Sequence, residues 1–297
     1  MIYLVLNILF SSAFTLFIKW VTVRKEEDII TVGPINYITA ACLIAPQFFA
    51  MSVEPDVNAA LCGGTMGAIY FVAFFFVSYA IRHVGAAATT VVGSLSLLLP
   101  IIVAAFLWEE VPNVAQCFGI GFAVLALTLI GLRRRPKLRE AAVTQPVGLS
   151  ADHARANWLT PLVLVVFFLL AGSSRLAQRT LNHVSSKDQL PTFLFAAFVV
   201  ASIPSIISLI GRRKSISKTE LGMGVAMGAS NILQTHFILK ALVVFKGYIV
   251  FPISSSGGLV LTTFVATRLL GEKLTRQTFI GVAIAVVALV LLNWVGE

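Results

Sequence analysis

The feature that most constrains this chain is a succession of ten apolar runs, each close to 20 residues long. A helix needs about 20 consecutive apolar residues to cross the hydrocarbon core of a bilayer. Connections between the runs are mostly short, so neighbouring helices are predicted to run antiparallel. The runs occupy residues 2–22, 33–53, 61–81, 86–107, 113–132, 158–181, 189–210, 219–241, 248–270 and 275–295.

Composition agrees with a membrane environment. Hydrophobic residues make up 58% of the chain and charged residues only 12%, whereas soluble domains average about 25% charge. Lipid solvates the excess apolar surface, provided that every backbone polar group is paired within helices. We therefore expect an all-α, multi-pass membrane protein that has the lipid bilayer as its partner and resides in the plasma (inner) membrane.

The net charge of +9 lies mainly between the apolar runs. Basic residues in these positions fix the orientation of the helices in the membrane and contact anionic headgroups. We therefore expect no nucleic-acid partner. The loops that follow odd-numbered runs carry most of the basic residues, which favours both termini facing outward. The sequence shows no phosphate-binding loop, zinc-protease motif, CxxC pair or nucleophile elbow. We therefore expect no enzyme activity, no cofactor, no metal site and no ATP-driven pumping.

The two halves of the chain resemble each other. Displaced by 162 residues, segment 78–131 aligns without a gap on segment 240–293, and fourteen of 54 positions are identical. Apolar composition explains several identities, but it does not readily explain matched glycines and a matched glutamate. The matches that composition explains least are Gly85/Gly247, Gly119/Gly281 and Glu110/Glu272. This pattern indicates an internal duplication.

An odd number of helices per copy has a topological consequence. Five crossings bring the chain to the opposite side of the membrane, so the two copies are predicted to have inverted topology. The expected organisation is a first five-helix repeat over 1–132, a polar basic linker over 133–157 and a second five-helix repeat over 158–297. Inverted repeats are typical of secondary transporters, which bind substrate near the membrane midplane between the halves.

Two segments carry a family resemblance. AAFLWEEVPNVAQCFGIGFAVLALTLIG and VATRLLGEKLTRQTFIGVAIAVVALVLL each place a glutamate in a short loop before a helix rich in glycine and alanine. They resemble the signature stretches of EamA-type transporters of the drug/metabolite transporter superfamily. The resemblance implies a ten-helix fold with both termini cytoplasmic, contrary to the charge bias. It also implies movement of a metabolite, commonly the export of amino acids or related compounds.

The sixth run carries the best candidate for a substrate-binding cation. Ser174, Arg175 and Gln178 share one helical face. A polar face on a spanning helix should look into the bundle, and a guanidinium there suits a carboxylate or phosphate. The alternative is that Arg175 extends to the membrane interface. Arg179, one turn further, is predicted to be interfacial.

Further candidates lie in the eighth and ninth runs. Asn231 and Gln234 can donate and accept hydrogen bonds, either to a substrate or to neighbouring helices. Ser255 and Ser256 lie between Pro252 and a glycine pair, a composition that favours an interrupted, cavity-lining helix. The alternative is that these small residues simply let helices approach closely. His236 is the candidate proton carrier, with a structural role as the alternative.

The matched carboxylates Glu110 and Glu272 have two interpretations. They are coupling or gating groups, or they stabilise a helix N-terminus through the helix dipole, which we favour. The sequence as a whole predicts a secondary transporter of a small polar metabolite, working by alternating access as a monomer or homodimer. The alternatives are an exchanger of nucleotide-sugars or phosphorylated metabolites, and a membrane scaffold or sensor that transports nothing.

Overall fold

A computed structural model describes residues 1–23, 29–83, 86–131, 159–212, 215–269 and 276–292. Every regular element in these ranges is a helix, which confirms the all-α prediction. A 3-10 turn, Lys187–Gln189, precedes α8. The α-helices are α1 Ile2–Val23, α2 Ile29–Phe49, α3 Val57–His83, α4 Ala86–Leu95, α5 Leu98–Leu107, α6 Val114–Gly131, α7 Leu159–Val184, α8 Leu190–Arg212, α9 Lys218–Val244, α10 Gly247–Leu269 and α11 Arg276–Leu292.

The fourth predicted span is interrupted. α4 ends at Leu95 and α5 begins at Leu98, with a turn between them. Pro100 has no amide hydrogen to donate to the carbonyl of Ser96, so a continuous helix would lose that bond. The sequence predicted an interruption in the ninth span, yet α10 is continuous through its proline. Counting α4 and α5 as one interrupted span gives ten helical segments in the described part of the chain.

Among the described residues, four helices are long and apolar enough to cross a membrane by themselves. They are Ile29–Phe49, Val57–Val77, Leu162–Val184 and Lys187–Gly211. Shorter apolar helices of 10–17 residues fall within α1, α4–α5, α6, α10 and α11. Large apolar side chains are exposed along many of these helices, including Phe106 at 84% and Phe49 at 76%. Exposed apolar surface of this extent is expected where lipid is the solvent.

The helices alternate in direction, so the bundle has two ends. We call end A the end at which α1, α3, α6, α8 and α10 begin. Its connections contact each other across the bundle: the backbone amide of Asp56 donates to Gln189 at 2.9 Å, and the backbone amide of Gly247 donates to Glu110 at 3.4 Å. The opposite end, end B, holds the connections that follow odd-numbered spans.

Two glycine pairs allow close contacts between helices within the chain. A Cβ at Gly63 or Gly67 of α3 would overlap the carbonyl oxygens of Phe193 and Ala197 in α8. A Cβ at Gly224 or Gly228 of α9 would approach the carbonyl oxygens of Val32 and Asn36 in α2, at 3.3 and 2.7 Å. Each glycine of the α9 pair lies 161 residues after its counterpart in α3, and each contacted carbonyl of α8 lies 161 residues after its counterpart in α2. Small residues let backbones approach in this way.

Helix packing is the same when each helix of one half is replaced by its counterpart in the other half. α1 packs on α9 as α7 packs on α3, and α2 packs on α9 as α8 packs on α3. Likewise α1 packs on α10 as α7 packs on α4 and α5. α2 packs on α8, and α6 on α11. The predicted linker 133–157 and Glu272 lie outside the described residues, so the predicted domain boundaries stay predictions.

Candidate functional site

A polar cavity lies between the two halves of the bundle. Its volume is about 170 Å³, and its walls come from α1, α3, α7, α9 and α10. A cavity of about 150 Å³ can hold a molecule the size of benzene. The lining residues are Asn7, Ser11, Tyr70, Ser174, Arg175, Gln178, Gln234, Thr235, Ile238, Phe251, Ser254 and Ser255.

Arg175 supplies the positive charge of the cavity. It extends from α7, and its guanidinium donates to the Ser94 carbonyl at 3.5 Å, a long hydrogen bond. That carbonyl lies in the last turn of α4, beside the α4–α5 interruption. Gly172 makes this approach possible, since a Cβ there would lie 2.8 Å from Leu99. No carboxylate is among the described residues that line the cavity, so Arg175 remains available to an anion.

Gln178 connects α7 with α3. Its amide nitrogen donates to the Tyr70 hydroxyl at 3.1 Å, and it approaches the Met66 sulfur at 3.7 Å. Its amide oxygen is buried and has no hydrogen-bond partner in the described structure. Tyr70 is held in turn by Tyr37, whose hydroxyl donates to the Tyr70 carbonyl at 3.1 Å. A buried acceptor without a partner is costly, so the Gln178 oxygen is well suited to a ligand that donates a hydrogen bond.

Asn7 joins three helices at the cavity wall. Its amide nitrogen donates to the Gln234 carbonyl at 2.8 Å, and its amide oxygen accepts from the Ser254 hydroxyl. Asn7 is 2% exposed, and both of its polar groups are used. It therefore fixes α1 against α9 and α10 and orients the hydroxyl of Ser254.

Asn231 lies behind the cavity wall. Its amide nitrogen donates to Asn36 of α2 at 3.1 Å, and its amide oxygen accepts from Gln234 at 3.1 Å. The Thr235 hydroxyl donates to the Asn231 carbonyl at 2.8 Å. Of the two roles considered for Asn231, the structure displays contact between helices, and its direct contact with a substrate stays a prediction.

The remaining predicted site residues are divided between the cavity and its surroundings. Ser255 lines the cavity, whereas Ser256 is 1% exposed, is absent from the lining and has a hydroxyl without a described partner. His236 faces a second cavity of about 400 Å³ near end A. There it lies beside Tyr3 and Lys240, whose ammonium is 5.7 Å from the Tyr3 ring centre. The structure therefore brings Arg175, Gln178, Gln234 and Ser255 together and leaves Asn231, Ser256 and His236 outside their cavity.

A charged cluster that the sequence did not predict lies between this site and end A. Glu110 is 3% exposed and forms an ion pair with Arg179, which is 7% exposed. Arg179, which was predicted to be interfacial, is buried between helices, because α7 directs it between α9 and the segment after α5. A second guanidinium nitrogen donates to the Leu242 carbonyl at 3.0 Å. The favoured interpretation of Glu110, a charge at a helix N-terminus, omitted this partner.

An arginine, an amide oxygen without a described partner and several hydroxyls form a polar surface whose chemistry suits a small ligand. Arg175 can hold a carboxylate or phosphate through two parallel hydrogen bonds. The hydroxyls of Ser11, Ser174 and Ser255 can donate or accept. Asn7 and Ser254, which the prediction omitted, could have been suspected only from their polarity within apolar runs.

Comparisons with known proteins are consistent with this architecture. Residues 1–132 match the model of the EamA-like transporter family. The match covers 132 of the 297 residues of the chain. The resemblance predicted from the signature segments is thus confirmed. Members of this family are membrane transporters of the drug/metabolite superfamily, and an EamA-like chain is accordingly an integral membrane protein.

Two further similarities extend over nearly the whole chain. A Haemophilus influenzae relative, described as an uncharacterized protein, is 23% identical and aligns over 99% of this chain and 98% of its own length. A protein crystal structure with 15% identity superposes with a TM-score of 0.73, covering 98% of this chain and 95% of the other. At that identity, the superposition establishes similarity of fold alone.

Proposed function

We propose that the protein is a secondary transporter of a small polar metabolite that carries an anionic group, such as an amino acid or related compound. The observation that carries the proposal is the cavity of about 170 Å³ between the halves, with Arg175 in its wall and no described lining carboxylate. Binding an anion there would give the guanidinium a charged partner, which it lacks among the described residues.

The proposed mechanism is alternating access by two inverted five-helix repeats. The matching helix contacts of the two halves support such repeats, as does the equal spacing of the two glycine–carbonyl sets. Rocking one half against the other would expose the cavity to each side of the membrane in turn. All ten helical segments, including the shorter apolar ones, would then span the membrane, with one interrupted at the α4–α5 turn.

Each cavity residue has a proposed role. Arg175 orients the anionic group, while Gln178 and Gln234 bond to other polar groups and Ser255 completes the surface. Asn231 acts through Gln234, whose amide it holds at 3.1 Å. The glycine pairs are used for contacts within the chain, so a monomer is sufficient for this mechanism.

Two features disfavour the alternatives. Pockets for drug-sized ligands usually measure about 300–1,000 Å³, and this cavity is smaller and has one described cation, which fits a nucleotide-sugar poorly. A scaffold has no need for polar groups directed into a cavity. His236 faces the other cavity, which supports transport without a proton carried by this histidine.

A thermal-shift panel on the detergent-purified protein tests the proposal. The panel contains amino acids, organic acids, nucleotide-sugars and cationic drugs. A ligand present at 100 times its Kd should stabilise the folded state by about 2.7 kcal/mol. We expect stabilisation by a small anion or zwitterion, its loss in Arg175→Ala and its retention in Arg268→Ala, an arginine remote from the cavity. Stabilisation by cationic drugs alone would contradict the proposal.

A further inference from the structure

The buried pair of Glu110 and Arg179 joins the two halves of the bundle. Glu110 follows α5 in the first half, and Arg179 belongs to α7 in the second. The same carboxylate accepts a hydrogen bond from the backbone amide of Gly247, at the start of α10, at 3.4 Å. The guanidinium also holds the last turn of α9 through the Leu242 carbonyl. One charged group from each half thus ties together α5, α7, α9 and α10.

The position of the pair relates it to the cavity. Arg179 lies one helical turn from Arg175, in the direction of end A. Gly247 is buried, and a Cβ on it would lie 3.2 Å from Phe251, a residue of the cavity wall. The layer formed by Arg179, Glu110 and Gly247 therefore covers the side of the cavity that faces end A.

The surroundings of Glu110 are arranged to direct it inward. Glu109 has a left-handed backbone conformation, with φ 54°, and its side chain is exposed. Such a conformation is uncommon for a residue other than glycine and costs about 1–3 kcal/mol. The amide of Glu110 donates to the Ala104 carbonyl at 3.3 Å, which closes the turn. The backbone tolerates local strain here, and the result is that Glu110 points to Arg179.

One other titratable group faces this carboxylate in the described structure. The His183 ring nitrogen lies 3.7 Å from Glu110, and the ring stacks on Trp108 at 4.2 Å between centres. A buried ion pair contributes little net stability, but removing one partner strands the other charge and costs about 3–5 kcal/mol. A pair of this kind can therefore distinguish two conformations: it stabilises the state in which it forms and is solvated when it opens.

We propose that Glu110 and Arg179 form a latch that closes the cavity at end A and must open for substrate to pass that end. The inference rests on the proposed alternating-access function. Opening end A requires the two halves to separate there, which breaks this cross-half pair and the Gly247 contact. The latch acts on access to the cavity and leaves Arg175, the proposed anion site, in place.

Labelling of a cysteine in the cavity tests the latch. In a variant whose three cysteines are replaced by alanine, Ser255→Cys is exposed to a membrane-impermeant thiol reagent added from end A. Ser186→Cys, in the exposed connection before α8, identifies that end in parallel preparations. We expect slow labelling of residue 255 in the background protein and at least tenfold faster labelling with Glu110→Gln, a shift of about 1.4 kcal/mol in the opening equilibrium.

Matched variants separate a latch from a merely structural pair. Glu109→Gln removes a neighbouring exposed charge and should leave the labelling rate unchanged. The double reversal Glu110→Arg with Arg179→Glu rebuilds the ion pair with opposite polarity but loses the hydrogen bonds to Leu242 and Gly247. It should therefore label more slowly than Glu110→Arg alone. Arg179→Lys keeps the charge but cannot serve both Glu110 and Leu242 with the same geometry. It should give an intermediate rate and replaces Glu110→Gln if that variant does not fold.

The outcomes distinguish this inference from the function on which it rests. Unchanged labelling in folded Glu110→Gln or Arg179→Lys would overturn the latch, even if a ligand still stabilises the protein through Arg175. Faster labelling that the double reversal fails to slow would also overturn it, because general loosening would then explain the effect. Loss of Arg175-dependent ligand binding would instead contradict the proposed function.

Discussion

The matched glycine contacts give a prediction about how the two halves hold together. Substituting Gly67 with alanine places a Cβ against the Ala197 carbonyl of α8. Substituting Gly228 places one 2.7 Å from the Asn36 carbonyl and 2.6 Å from the Thr39 Cβ of α2. Backbone atoms cannot rotate away as a flexible side chain can, so the helices must separate at both positions.

The magnitude follows from two opposing effects. Alanine in place of glycine within a helix stabilises it by about 0.5–1 kcal/mol. Overpacking a close contact costs about 1–3 kcal/mol. Gly222, also in α9, has no atom within 4 Å of the position that a Cβ would occupy, so alanine there experiences the first effect alone. Relative to Gly222→Ala, both Gly67→Ala and Gly228→Ala should therefore be destabilised by about 1–3 kcal/mol.

Chemical denaturation of the purified protein in detergent, followed by circular dichroism, measures these differences. Each substitution adds one methyl group inside a helix, so Gly222→Ala is a matched control for propensity. If Gly67→Ala and Gly228→Ala unfold at the same denaturant concentration as Gly222→Ala, the close contacts do not exist. A large loss at one position and none at the other would contradict equivalent packing of the two halves.

Two further predictions concern end A. The hydrogen bond from Ser185 and the backbone amide of Asn58 hold the pKa of Asp56 below its ordinary value. The ionised Asp56 side chain then stabilises the folded state above its ordinary pKa of about 4, and this stabilisation is lost as pH falls through the lowered pKa. The difference in melting temperature between the wild type and Asp56→Asn should therefore shrink between about pH 7 and pH 3, and a pH-independent difference would refute this. The second prediction concerns topology: from the charge bias, we expect Ser186→Cys in a cysteine-free background to react with a membrane-impermeant thiol reagent on intact cells. Reaction only after the cells are permeabilised would favour the opposite orientation, which the family resemblance implies.

The sequence was informative where a property repeats along one helix. Apolar runs predicted the helices, and the spacing of Ser174, Arg175 and Gln178 predicted a common face because helical periodicity is local. These three residues do line one cavity. Gln234 and Ser255 reach the same cavity from α9 and α10, as expected if polar side chains of spanning helices avoid lipid.

The sequence was uninformative where a property depends on which helices meet. Asn7 and Ser254 are 247 positions apart, and nothing local relates them. Glu110 is buried because α7 packs against the segment after α5. Its position at the end of an apolar run gave no sign of that contact. His236 adjoins the polar face of α9, but a rotation of one residue, about 100°, turns it to another cavity.

The interrupted helix shows how similar compositions diverge. Both the fourth and ninth spans combine serine, glycine and proline, and the sequence favoured interruption in the ninth. Pro252 lies within the first two turns of α10, where the helix remains continuous. Pro100 lies far from the start of its span and just after Ser96, so the missing hydrogen bond falls within the interior of the span.

The central claim is that the cavity around Arg175 carries a small anionic metabolite across the membrane, and counterflow tests it most directly. Proteoliposomes are loaded with the unlabelled compound that most stabilises the protein, and the same compound, labelled, is supplied outside. We predict transient accumulation of label by the wild type and by Arg268→Ala, and none by Arg175→Ala. Equal accumulation by Arg175→Ala, or no accumulation by wild-type protein that binds the compound, would contradict the claim.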